Sequence, residues 1–83
     1  MEQEFNSCAK KVKNLSSKPS DSTLLVLYGL YKQATVGNCN TGRPGMFDPR
    51  GRAKWDAWNR YKNRSKEEAM NMYIIEVNKL TNN

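Results

Sequence analysis

Apolar residues recur at spacings of three and four in four separate stretches of the chain. The first stretch holds Phe5, Cys8, Ala9, Val12 and Leu15, one stripe of a helix running from Gln3 to Leu15, with Lys10, Lys11 and Lys13 away from its centre. Lys18-Pro19-Ser20-Asp21 breaks the pattern, and Ser20 or Asp21 can cap the next helix. That second helix, from Asp21 to about Val36, is apolar nearly all round through Leu24, Leu25, Val26, Leu27, Leu30, Ala34 and Val36. A helix of this kind is contacted on more than one side. In so short a chain, one of those sides is a candidate ligand surface. Gly29 stands in mid-helix at a cost of about 0.5–1 kcal/mol relative to alanine. It marks either a close approach of backbone or a tolerated cost.

Residues 37–47, rich in Gly, Asn and Thr and containing Pro44, form a loop long enough to suggest a function. Asp48-Pro49 reads as an N-cap followed by proline at the first helical position, opening a third helix to about Lys62 with Trp55, Trp58 and Tyr61 as its aromatics. Ser65-Lys66-Glu67-Glu68 is a capping box. The last helix then presents Ala69, Met70, Tyr73, Ile74, Val77 and Leu80 on one face, and Thr81 to Asn83 should fray. Four amphipathic helices without a strand pattern predict an all-α bundle, one domain over residues 1–83.

Composition narrows the class. Hydrophobic residues make up 37% of the 83 and charged residues 27%, which suits a soluble globular domain, and no apolar run has the length of a membrane span. The N-terminal Met1-Glu2-Gln3-Glu4 is acidic and has no apolar signal region, and Cys8 and Cys39 lack metal-site or disulfide-framework spacing. Two free thiols in a reducing compartment, the cytoplasm, are expected. The net charge of +6, from 14 Lys+Arg against 8 Asp+Glu, calls for an anionic partner: nucleic acid, a phosphorylated metabolite or a membrane surface.

Catalysis has little to work with. Histidine is absent, no nucleophile stands beside a base, and residues 37–51 match no Gly-rich phosphate fingerprint. Asp48 and Asp56 read as a cap and a surface residue. Binding remains. The basic residues are spread over all four helices, and the second connection is too long for a helix-turn-helix, so no nucleic-acid partner is expected. Tyr28, Tyr31 and Lys32 share a helical face at i, i+3 and i+4, and Lys54 and Trp58 share another at i and i+4. Rings beside an ammonium suit a flat, phosphate-bearing ligand. On spacing alone, an ordinary helical core with solvated lysines is the stronger reading.

The ordered string changes that balance. Tyr28-x-x-Tyr31-Lys32-Gln33-Ala34-Thr35-Val36-Gly37, Asn40-Thr41-x-Arg43-Pro44-Gly45-Met46, Lys54-Trp55-Asp56-Ala57-Trp58-Asn59 and Ser65-Lys66-Glu67-Glu68-Ala69-Met70-x-x-Tyr73-Ile74 together resemble the acyl-CoA-binding protein family, also called diazepam-binding inhibitor. The resemblance takes in the whole chain, including Phe5, Ala9, Val12, Leu15 and Lys18-Pro19.

The resemblance implies an up-down-down-up four-helix bundle without catalytic activity or cofactor. Such a protein binds medium- and long-chain acyl-CoA esters one to one, as a carrier and pool former, and is a monomer. Carried over by position, Tyr28 and Tyr31 line the nucleotide site, Lys32 and Lys54 hold the ribose 3′-phosphate, Tyr73 closes the site, and Lys13 and Arg50 add basic contacts. Leu24, Leu25 and Ala53 are expected as wall residues for the acyl chain, with Trp58 in the core and Trp55 nearer the ligand. Transient contact with anionic membranes or acyl-CoA-using enzymes would accompany carriage. Arg50 stands where lysine is usual, Pro49 where a bulky apolar residue is frequent, and Asn38 where aspartate is common. The charge of +6 is also unusual for the family. These departures bear on chain-length preference and partner choice.

Overall fold

The computed structural model describes residues 1–81 and contains four helices: α1 (Glu2–Lys13), α2 (Asp21–Thr35), α3 (Pro49–Asn59) and α4 (Lys66–Thr81). No strand occurs among the described residues. Thr81 is the last residue of α4, and the rest of the segment expected to fray, Asn82 and Asn83, lies outside the described residues.

The starts follow the sequence signals. The Ser20 hydroxyl, rather than Asp21, caps α2 by accepting from the Thr23 N–H at 3.2 Å. The Asp48 carboxylate accepts from the Gly51 N–H at 3.0 Å, and Pro49 occupies the first turn of α3. At α4 the capping box closes both ways, with Glu68 N–H donating to Ser65 Oγ at 3.0 Å and Ser65 N–H to the Glu68 carboxylate at 3.3 Å.

The ends differ from the periodicity. Helix α1 stops at Lys13 instead of Leu15 because the Asn14 side chain donates to the Lys10 carbonyl and satisfies an acceptor of the last turn. Helix α3 stops at Asn59 instead of Lys62. Its chain tightens into three-residue bonds, Tyr61 N–H to Trp58 and Lys62 N–H to Asn59, and then turns at Asn63, where φ is 74°. Asparagine tolerates this left-handed conformation better than most residues. The Asn63 N–H is held by Asn38 Oδ1 at 2.8 Å, which ties this turn to the loop.

Directions follow from the contacts. Phe5 of α1 meets Tyr31 late in α2, while Ala9 and Val12 lie beside Leu24 and Leu27, so the two helices are antiparallel. Ala53 lies by Ser22 and Leu25, and a Cβ on Gly29 would overlap the Ala57 carbonyl, so α3 runs parallel to α2. The Gln33 amide near the end of α2 donates to the Arg64 carbonyl just before α4 at 2.8 Å, so α4 runs back. The bundle is therefore up-down-down-up, and residues 36–48 return the chain between the two parallel helices.

Helix α2 is the centre, packed on α4 on one side and α3 on the other, with α1 laid against α4. Phe5, Cys8, Leu27, Leu30, Ala34, Ala69, Tyr73, Ile74 and Val77 form the continuous core. Ala57 and Trp58 are buried where α3 closes on α2. Gly29 is explained: the close approach of backbone is the Ala57 carbonyl, and no other residue fits. Cys8 is buried and Cys39 half-buried in the connection, both as free thiols. Burial pushes the Cys8 thiol up despite the nearby Lys11.

Candidate ligand-binding site

Helices α2 and α3 meet along a seam built from two i, i+4 pairs. On α2 these are Tyr28 and Lys32, on α3 Lys54 and Trp58. Because the helices run parallel, the pairs match in order but crosswise in chemistry. The Lys54 ammonium lies 4.9 Å from the centre of the Tyr28 ring, and the Lys32 ammonium 4.8 Å from that of Trp58. Each cation rests on the face of an aromatic ring, where the ring quadrupole attracts it. One ammonium from each helix thus lies along a single seam.

The seam borders a cleft of about 570 Å³ between the first halves of α2 and α3. Leu24, Leu25 and Ala53 give it an apolar floor, Tyr28 and Lys54 stand at one side, and Pro49, Arg50 and Lys18 form its rim. A second cleft of about 320 Å³ opens between α1, α2 and α4, lined by Val12, Lys13, Leu24, Tyr28, Tyr31 and Tyr73 among others. Leu24 and Tyr28 line both, so the two clefts adjoin along α2 and together form the candidate groove.

Behind the second cleft the rings are fixed by one another. Phe5 stacks on Tyr31 with ring centres 5.5 Å apart and meets Tyr73 edge-on at 5.0 Å. Burial, helped by the nearby Cys8 and Tyr31, pushes the Tyr73 phenol up to about 12, so it stays protonated and able to donate. Phe5 lies in the core, whereas Tyr31 keeps an exposed face.

The groove gathers Lys13, Tyr28, Tyr31, Arg50, Lys54 and Tyr73 together with Leu24, Leu25 and Ala53. Lys32 lines neither cleft; it is half-buried on the seam over Trp58. Trp58 is in the core, and its indole N–H donates to the Gly37 carbonyl at 2.8 Å. Trp55 is not part of the groove lining: its indole donates to the Thr41 carbonyl at 2.8 Å and ties the connection to α3.

Lys18 and Asp21 also line the first cleft, beyond the residues expected there from the sequence. Asp21 was accessible to spacing, since Asp21, Leu24, Leu25, Tyr28 and Lys32 follow one helical face. Lys18 precedes the helix, where no periodicity operates.

The connection is tied to α3 by an ion pair. Arg43 donates through Nε and Nη2 to the two carboxylate oxygens of Asp56 at 3.0 and 2.9 Å. The hydrogen bonds from Arg43 hold the Asp56 carboxyl below the usual carboxylate range. Among the described residues no group of three or more His, Cys, Asp or Glu could hold a metal ion.

A helical bundle whose adjoining clefts set an apolar floor beside rings and cations has the form of a ligand-binding site. Residues 2–77 match the acyl-CoA-binding protein family, and the chain belongs to that family, which is one of binding and carrier proteins and not of enzymes. It is 55% identical over 80 residues to an acyl-CoA-binding protein of Gossypium hirsutum, covering 96% of this chain and 90% of that one. An acyl-CoA-binding protein of Fritillaria agrestis is also 55% identical over 80 residues, with 96% and 92% covered. The crystal structure of Oryza sativa acyl-CoA-binding protein 2 superposes with a TM-score of 0.93 at 51% identity, over 98% of this chain and 90% of that one.

Proposed function

We propose that the chain is one acyl-CoA-binding unit that takes medium- and long-chain acyl-CoA esters one to one and serves as their carrier and pool former. The observation that supports this reading is the adjacency of the two clefts: an apolar floor at Leu24, Leu25 and Ala53 lies beside rings and cations at Tyr28, Lys54 and Tyr73. Tyr28 and Tyr31 offer faces to the adenine, and Lys13 and Arg50 add charge at the two ends of the groove. Lys32 and Lys54, one from each helix of the seam, act as point charges for the ribose 3′-phosphate, which carries about −2. They leave their rings to do so, and the lost cation–π contact is smaller than a charge-assisted hydrogen bond.

The tail supplies affinity and the head supplies selection. A palmitoyl tail gains up to about 12 kcal/mol if all its methylenes leave water, less the part left exposed and the entropy of ordering it. Two free thiols suit the reducing cytoplasm, and a carrier working as a monomer exchanges its cargo at membranes or with acyl-CoA-using enzymes.

Titration calorimetry tests the reading. Palmitoyl-CoA is expected to bind far more tightly than palmitate or free CoA, and palmitoyl-dephospho-CoA about one to two orders of magnitude more weakly than palmitoyl-CoA. Lys32→Ala and Lys54→Ala each lose affinity for palmitoyl-CoA but lose little further for the dephospho ligand, while Lys66→Ala shows no such coupling. Equal affinity for palmitate and palmitoyl-CoA rejects the carrier reading. Simple addition of lysine and phosphate losses rejects the phosphate assignment alone.

A further inference from the structure

Two large apolar side chains stand in water at the end of the α2–α3 connection. Phe47 is 95% exposed and Met46 71%, the two highest values for large hydrophobic residues among those described. The Asp48 N–H donates to the Gly45 carbonyl at 3.0 Å, closing a turn in which Met46 and Phe47 hold the two central positions. Asp48 and Pro49, which begin α3, fix that turn from behind. A single exposed apolar residue needs no explanation, but an adjacent pair held at a turn by a helix start offers a contact surface.

The surroundings are cationic. Arg50 and Lys54 are exposed on α3, and exposed Lys18 faces them across the first cleft. The acids nearby offset this frame only in part. Asp48 is engaged with the Gly51 N–H, Asp56 is matched by Arg43, and Asp21 lines the cleft. The whole chain carries +6. Charge alone would suit any polyanion, but a nucleic acid or a free phosphate offers no apolar layer for Phe47 and Met46. The headgroup and acyl boundary of an anionic bilayer offers both.

We infer that the Met46–Phe47 turn is a membrane-docking tip that enters an anionic bilayer while Arg50, Lys54 and Lys18 meet the headgroup phosphates. Pro49 and Arg50 also line the first cleft, so docking sets the cleft mouth against the membrane and lets a hydrocarbon tail pass between them without crossing water. This use of docking rests on the carrier reading; docking itself does not.

Vesicle sedimentation of the full chain tests it, with phosphatidylcholine alone and with equal parts phosphatidylcholine and phosphatidylserine. The protein is expected to sediment with the mixed vesicles, less so as salt rises, and weakly with phosphatidylcholine alone. The double variant Met46→Ser, Phe47→Ser should lose at least about tenfold in partition, because it removes two inserting side chains. Ile75→Ser, on an exposed part of α4, should lose nothing. Palmitoyl-CoA titration without vesicles should be the same for the double variant and the wild type, which separates lost docking from misfolding. Absence of sedimentation with the mixed vesicles overturns the proposal and leaves the turn to a protein partner. Sedimentation of the double variant equal to that of the wild type overturns it as well. Docking without palmitoyl-CoA binding upholds the tip and removes only the carrier reading.

Discussion

The two sides of α2 are built differently. Toward α1 and α4 its Leu27, Leu30 and Ala34 join Phe5, Tyr73 and Val77 in one dry apolar cluster, bordered by the second cleft at Leu27 and Tyr73. Toward α3 it presents Gly29, whose backbone meets the Ala57 carbonyl, and around that contact lie open clefts, two lysines on rings and a half-buried run of Leu24, Leu25 and Val26. Among the described helices α3 packs on α2 alone, and its other ties are polar: Trp58 to Gly37, Trp55 to Thr41 and Arg43 to Asp56. The dry side can supply stability because its side chains are buried against one another. The other side is left incomplete, so apolar surface at Leu24, Leu25 and Ala53 remains available to a ligand. In a chain of 83 residues, with a thin stability margin, this division lets a groove exist without weakening the core that holds it.

Leu30→Ala should break the dry side with the largest effect. Removing a fully buried leucine costs about 2–5 kcal/mol, and each kcal/mol lowers Tm by about 4–8 °C in a domain of this size. Urea titration should show the loss, while palmitoyl-CoA affinity of the folded fraction holds. Lost affinity in a variant of unchanged stability would mean that the two sides are not separable.

Gly29→Ala should act on the other side at intermediate size. The new methyl meets backbone, which cannot rotate away, so a cost of about 1–3 kcal/mol outweighs the helix propensity gained. The parallel helices must separate, and long-chain acyl-CoA affinity should fall along with Tm. A rise in Tm would show that α3 shifts freely and that the glycine was only tolerated.

The smallest effect belongs to Asp56→Asn, which weakens the tie between the connection and α3. The Asp56 carboxyl titrates lower folded than unfolded, so its contribution is present above the ordinary value of 3.8 and is lost as pH falls through the folded value. Tm of the variant should be slightly low near neutral pH and converge with the wild type in acid. A gap that persists in strong acid would assign the effect to packing and not to charge.

Local chemistry was enough for the starts of α2, α3 and α4, because Ser20, Asp48-Pro49 and Ser65 with Glu68 act on N–H groups within three residues of themselves. Periodicity was enough for the buried faces of α1 and α4, since helix geometry alone brings Phe5 to Cys8 and Ala69 to Tyr73 and Val77. The order of residues from Tyr28 to Ile74 also carried the family. Tertiary structure decided what depends on partners distant in sequence. Asn38 reaches Asn63 and Gln33 reaches Arg64, and these bonds hold the turn between α3 and α4 against the end of α2 and the connection. Spacing placed Tyr28 with Lys32 and Lys54 with Trp58, but only the parallel docking of α2 on α3 crossed the pairs so that each lysine meets the other helix's ring. Lys18 joined the groove and Trp55 stayed out of it for the same reason. A side chain's surroundings depend on how whole helices pack, and that is settled by surfaces many residues apart, beyond the reach of local spacing.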